Sequence, residues 1–157
     1  MGLFNPTPVV DGELAKAIIA EEARSRRWTE KVLAKNQAGL PALLQEGEDV
    51  AAITHADGIN ELLVVTNQRL LRVKKGKMNW APIALGEVAE ASIGARDLGR
   101  GTVKYMLVVD THTSKLYADG DQRRFHPDHF FSVDFDNPQD ARALCAVIDL
   151  LAGQALS

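Results

Sequence analysis

Cysteine is almost absent: Cys145 is the one thiol in 157 residues, which excludes an intramolecular disulfide and a cysteine-based zinc site. Long apolar runs are missing too, since stretches such as residues 62–65 fall far short of the roughly 20 residues a membrane-spanning helix needs. The opening MGLFNPTPVV has neither the basic nor the apolar segment of a secretory signal, and Pro6 stands where N-myristoylation wants Ser or Thr. A cytoplasmic location is therefore expected. Basic excess is also lacking: 18 Lys and Arg against 21 Asp and Glu leave a net charge of −3, so bulk charge gives no reason to expect nucleic acid. The phosphate-binding P-loop, the dinucleotide-binding glycine triplet and the nucleophile elbow are all missing. No spacing of Ser, His and Asp singles out a triad, so the expectation is a non-enzyme without cofactors. What remains is ordinary globular usage, 46% hydrophobic and 25% charged, enough to form a core.

Periodicity divides the chain. Residues 1–10 read as a flexible arm, with Pro6 and Pro8 against helix. Asp11 is a natural N-cap, and residues 12–36 are rich in Ala, Glu, Lys, Arg and Leu, a helical composition. Leu14, Ile18, Trp28 and Val32 fall on one helical stripe that Glu21 and Ser25 interrupt. The pattern predicts a helical extension over 11–38 that docks at its two ends and bends, or touches little, between them. These four residues are candidates for an interface. After Gly47 the period becomes that of strands, expected near 48–56, 60–66, 69–75, 78–84, 88–96, 103–111 and 130–136. In the third, Leu71 and Val73 should face the core while Arg72 and Lys74 face water; in the last, Phe131, Val133 and Phe135 should point inward. Asn137, Pro138 and Asp140 form a helix start, Ala141, Leu144, Ile148 and Leu151 an apolar stripe, and Gly153 a C-cap.

Seven antiparallel strands followed by one covering helix is the element order of a pleckstrin-homology (PH) fold. The residues Gly47-Glu48-Asp49-Val50, Leu63-Val64-Val65-Thr66-Asn67-Gln68-Arg69-Leu70-Leu71, Ala81-Pro82-Ile83 leading to Val88, and the Asp-Asn-Pro helix start resemble the bacterial PH-like domain families. The resemblance spans roughly residues 40–153 and implies a mainly β fold: a seven-stranded antiparallel barrel or sandwich, closed by a C-terminal helix, over 39–153. It also implies a binding or assembly module. The expected role is protein–protein interaction, including self-association as a homo-oligomer, because bacterial PH-like domains form oligomers.

Four constellations could carry chemistry. Thr66-Asn67 suits a tight turn, and Arg69 is placed to tie loop carbonyls or a nearby carboxylate, a structural role. Arg69, Arg72, Lys74, Lys75 and Lys77 have no acid between them. The resemblance places that turn at the rim where classical PH domains bind phosphoinositide headgroups. Arg72, Lys74, Lys75 and Lys77 are thus candidates for anionic-lipid contact, the alternative function, although the first turn, residues 55–60, lacks basic residues. A solvated edge whose lysines deter aggregation is the competing explanation. Arg24, Arg26, Arg27, Lys31 and Lys35 surround Trp28, a pattern of membrane or acidic-partner surfaces, against a solvated helix with Trp28 packed on the barrel or on another subunit. His126 and His129, with His112, are weak metal candidates on a long loop over 112–129, and no metal is expected.

Overall fold

Residues 9–20, 22–55, 60–79, 81–112, 130–135 and 138–155 are described in a computed structural model, with backbone alone at 96, 98, 104, 106 and 130–135. Chain order is α1 (Gly12–Ala15), α2 (Ala23–Asn36), α3 (Leu40–Leu43), β1 (Val50–His55), β2 (Glu61–Thr66), β3 (Arg69–Lys74), β4 (Lys77–Met78), β5 (Ile83–Ala84), β6 (Val88–Gly99), β7 (Thr102–Thr111), β8 (Phe130–Phe135) and α4 (Pro138–Ala155). The fold is mixed α/β. All strand pairs are antiparallel, in one sheet ordered β1-β2-β3-β4 with β5 also on β3, and a second ordered β6-β7-β8. Among the described residues the sheets do not close into a barrel, and no helix is long and apolar enough to cross a membrane.

The first sheet is covered on both faces. Along β2, Leu63 and Val65 point into a core shared with Leu70, Leu107, Val109, Leu144 and Ile148, while Leu62 and Val64 point into another with Ile18, Val32, Leu33, Leu71 and Val73. Every residue of β2 is buried, as a strand at the centre of three layers requires. The α4 stripe Ala141, Leu144 and Ile148 is fully buried in the first core. The 11–38 segment supplies the outer layer of the second.

That segment is not one helix. Asp11 does cap α1, its Oδ1 accepting from the N–H groups of Glu13 (2.9 Å) and Leu14 (3.2 Å). After a turn at 16–17, Ile18 forms a single parallel bridge with Ile53 of β1, with Ile19 N–H donating to Ile53 O (2.8 Å) and Ile53 N–H to Ala17 O (2.9 Å). This strap uses backbone groups that an edge strand would otherwise expose. Restarting at Ala23 changes the helical phase, so the buried side of α2 is Thr29, Val32, Leu33 and Asn36. The expected stripe is split: Ile18 and Val32 are buried and Leu14 half-buried against the first sheet, whereas Trp28 is 49% exposed. Of the two placements expected of Trp28, the barrel or another subunit, the first is not the one it takes.

Two further expectations change. The strand expected over 78–84 is two short pieces, β4 and β5, both on the same side of β3; between them Asn79 turns its amide to Glu61 and Pro82 has no N–H for a ladder. The terminal helix runs through Gly153 to Ala155. The inward placement of Phe131, Val133 and Phe135, and the cap at Asn137, lie outside the described side chains.

Candidate functional site

The family-like motif residues form one clasp. Gly47 takes φ +75°, a left-handed conformation that turns the chain into β1. Asn67 reaches back across this turn: its Oδ1 accepts from Asp49 N–H (2.9 Å) and its Nδ2 donates to Gly47 O (3.0 Å). Thr66 Oγ1 accepts from the N–H groups of Gln68 (3.1 Å) and Arg69 (3.0 Å) and donates to Glu48 Oε2 (2.6 Å). Arg69 grips the buried Glu48 with two nitrogens, Nε to Oε2 at 2.8 Å and Nη2 to Oε1 at 2.9 Å, and donates to Leu43 O at 2.6 Å. Burial pushes the Glu48 carboxyl up, but bonds from Arg69, Thr66 and the Gln45 N–H, with the Arg69 charge, outweigh it and hold it below the ordinary carboxylate range. The structural role expected of Arg69 is what the geometry has.

Arg72 leaves the basic cluster for a similar reason. Its Nε donates to Glu61 Oε1 at 2.6 Å, and its Nη2 lies on the same carboxylate. Glu61 is buried and also accepts from the Asn79 amide. Arg72 is thus a partner of a buried charge, and the expectation that it faces water is corrected. Glu61 went unnoticed in the sequence; the signal was an acid opening the apolar run ELLVVT.

Three lysines remain at the β3–β4 turn, Lys74 half-buried and Lys75 and Lys77 exposed. Lys74 pairs with Lys77 in register, and the two turn residues, Lys75 and Gly76, take φ +54° and +70°, the conformation of a primed two-residue hairpin. Buried Asn36 holds this turn to α2. Its Oδ1 accepts from Gly76 N–H (3.0 Å), while its Nδ2 donates to Val32 O (2.8 Å) and Asn60 O (3.0 Å). Lys35 Nζ donates to Asn60 Oδ1 at 2.9 Å, so a fourth lysine joins the same end of the sheet.

The outer face of α2 is the other assembly of unabsorbed groups. Arg24, Arg27, Lys31 and Lys35 are exposed and spaced three, four and four residues apart, which puts them in one row around Trp28. Lys31 Nζ lies 6.0 Å from the Trp28 ring centroid. Arg26 stands off this row and pairs with Glu30 at 3.1 Å. Behind the row, Val32 and Leu33 fix the helix on the first sheet. At its start, Ser25 Oγ donates to buried Asp140 of α4 at 2.8 Å.

Groups with reactive potential are elsewhere quiet. Burial, then the nearby Asp149 and Glu90, push the Cys145 thiol up, away from the thiolate that reacts. Among the described residues no three His, Cys, Asp or Glu come together to hold a metal. His112 is exposed, and His126 and His129 lie outside the described residues. Compared with models of protein families, with curated proteins and with solved structures, the chain matches none of them.

Proposed function

We propose that this chain is a PH-like, non-catalytic binding and assembly module, cytoplasmic and of bacterial type, which makes protein–protein contacts, self-association included, through the outer face of α2. Among the described residues, counting β4 and β5 as one interrupted strand gives seven strands in two antiparallel sheets before a terminal helix, which supports the PH-like reading. The observation that carries the function is Trp28, half-exposed on a helix whose opposite side is locked in the core. Trp and Arg are the residue types most enriched where binding energy concentrates, and a rigidly held helix presents them at little ordering cost. In a Trp80→Phe chain Trp28 is the one indole. Its emission should shift to the blue, and its quenching by iodide should fall, as protein concentration rises to the high micromolar range. An emission maximum independent of concentration would count against self-association.

A second reading is peripheral contact with anionic lipid through Lys74, Lys75 and Lys77. It is favoured by the addition of Lys35 at the same end and weakened by the loss of Arg72 to Glu61. At roughly 1 kcal/mol for each cation near an anionic surface, binding should be weak, salt-sensitive and indifferent to headgroup stereochemistry. Sedimentation with phosphatidylglycerol vesicles, lost on reversing the three lysines to Glu, is the expected result; tight selection of one phosphoinositide would reverse the order of the two readings.

A further inference from the structure

The chain carries more acid than base, yet the outer face of α2 carries four cations in a row. Exposed acids lie on several elements, and one group of them is on α4, β6 and the turn before β6. The Cys145 sulfur of α4 lies 3.2 Å from Ala91 O and 3.9 Å from Asp149 Oδ2. This brings Asp149 beside Glu90, the residue before Ala91 on β6. Glu87 belongs to the short helical turn that leads into β6 and on which the same helix packs through Leu85. Glu87, Glu90 and Asp149 are all exposed. Arg142, the one cation of α4, is seven residues and about 10 Å along the helix from Asp149.

Resting on the assembly reading above, we propose that the occupant of the basic α2 face is a second copy of this chain, presenting its acidic α4–β6 face. Charge complementarity favours this partner over the others. A lipid surface or a nucleic acid is anionic throughout, so it would meet Arg24, Arg27 and Lys31 but would leave the acidic face of Glu87, Glu90 and Asp149 without a partner. A second copy answers both faces at once. Trp28 supplies the apolar centre, and its flanking cations set orientation, since exposed ion pairs contribute more to register and encounter rate than to affinity. The two faces differ, so they meet either reciprocally, in an isologous pair, or head to tail, in a heterologous ring.

Sedimentation velocity of the full chain separates the outcomes. The wild type should sediment faster at high micromolar concentration and less so as salt rises. An Arg24→Glu/Arg27→Glu/Lys31→Glu chain and a Glu87→Lys/Asp149→Lys chain should each remain monomeric, with self-affinity lower by about tenfold or more. Mixed together they should associate, because one now offers two acidic faces and the other two basic ones. That rescue also shows that both variants are folded. Association unchanged by either reversal, or no rescue on mixing, overturns this pairing and leaves the assembly reading standing. A wild type that is monomeric throughout overturns both.

Discussion

Two buried carboxylates, Glu48 and Glu61, decide what Arg69 and Arg72 do. Each arginine is committed to a charge that would otherwise sit unpaired in low dielectric, so neither is free for a ligand. Arg69 was legible because its partners, the turn 66–67 and the 47–50 segment, were recognisable as one motif. Arg72 was not, because its partner lies on the neighbouring strand and only the β2–β3 register brings them together. The Glu48 carboxyl is held low in the folded chain, so its stabilising contribution is complete above the ordinary carboxylate range and is lost as pH falls through it. Thermal melts of wild type and Glu48→Gln should therefore differ by about 3 kcal/mol near neutral pH. The gap should narrow as pH falls into the ordinary carboxylate range and on below it, through the lowered value of the folded chain; a constant gap would mean that the Glu48 charge is not the stabilising form. Thr54 is the opposite case. Its buried hydroxyl finds no hydrogen-bond partner among the described residues, so Thr54→Val should raise stability by about 1 kcal/mol in denaturant unfolding.

At the scale of elements, α2 is the helix that propensity predicts, but its start and phase are set by tertiary structure. Residues 16–20 have helical composition, yet Ala17 and Ile19 bond to Ile53 on the open side of β1. An unpaired sheet edge nearby outweighs a helix propensity of a few tenths of a kcal/mol per residue. This is why Trp28, read as part of an apolar stripe, faces solvent. The link between α2 and the β3–β4 turn was equally hidden, since Gly39 and Gly76 are far apart in sequence. A Cβ on Gly39 would lie 2.4 Å from Gly76 O and 2.8 Å from its Cα. Backbone cannot move aside as a side-chain tip can, so Gly39→Ala should cost about 2 kcal/mol or more. It should also release Gly76 from Asn36, measurable as faster hydrogen exchange at the Gly76 amide. An unperturbed melting temperature would show that α2 and the turn are not held in contact.

Over the whole molecule, the 11–38 segment forms an outer layer on the first sheet. Without it Leu62, Val64, Leu71 and Val73 would lose the part of their cover that Ile18, Val32 and Leu33 supply. The α4 stripe and the positions of β1, β2, β3, β6 and β7 were legible in sequence. The burial of both faces of the first sheet was not, because a fully buried antiparallel strand such as β2 reads like any short apolar run. Of the candidate interface Leu14, Ile18, Trp28 and Val32, the fold keeps three for itself and leaves Trp28 outside. The central claim, a binding module that assembles through that residue, is tested most directly by light-scattering molar mass of the full chain across concentration, beside Trp28→Ala. The wild type should rise above the monomer mass at high micromolar concentration. Trp28→Ala, with its melting temperature unchanged, should need several-fold higher concentration to do so. A wild type that stays at the monomer mass, or a Trp28→Ala curve that overlays it, would contradict the account.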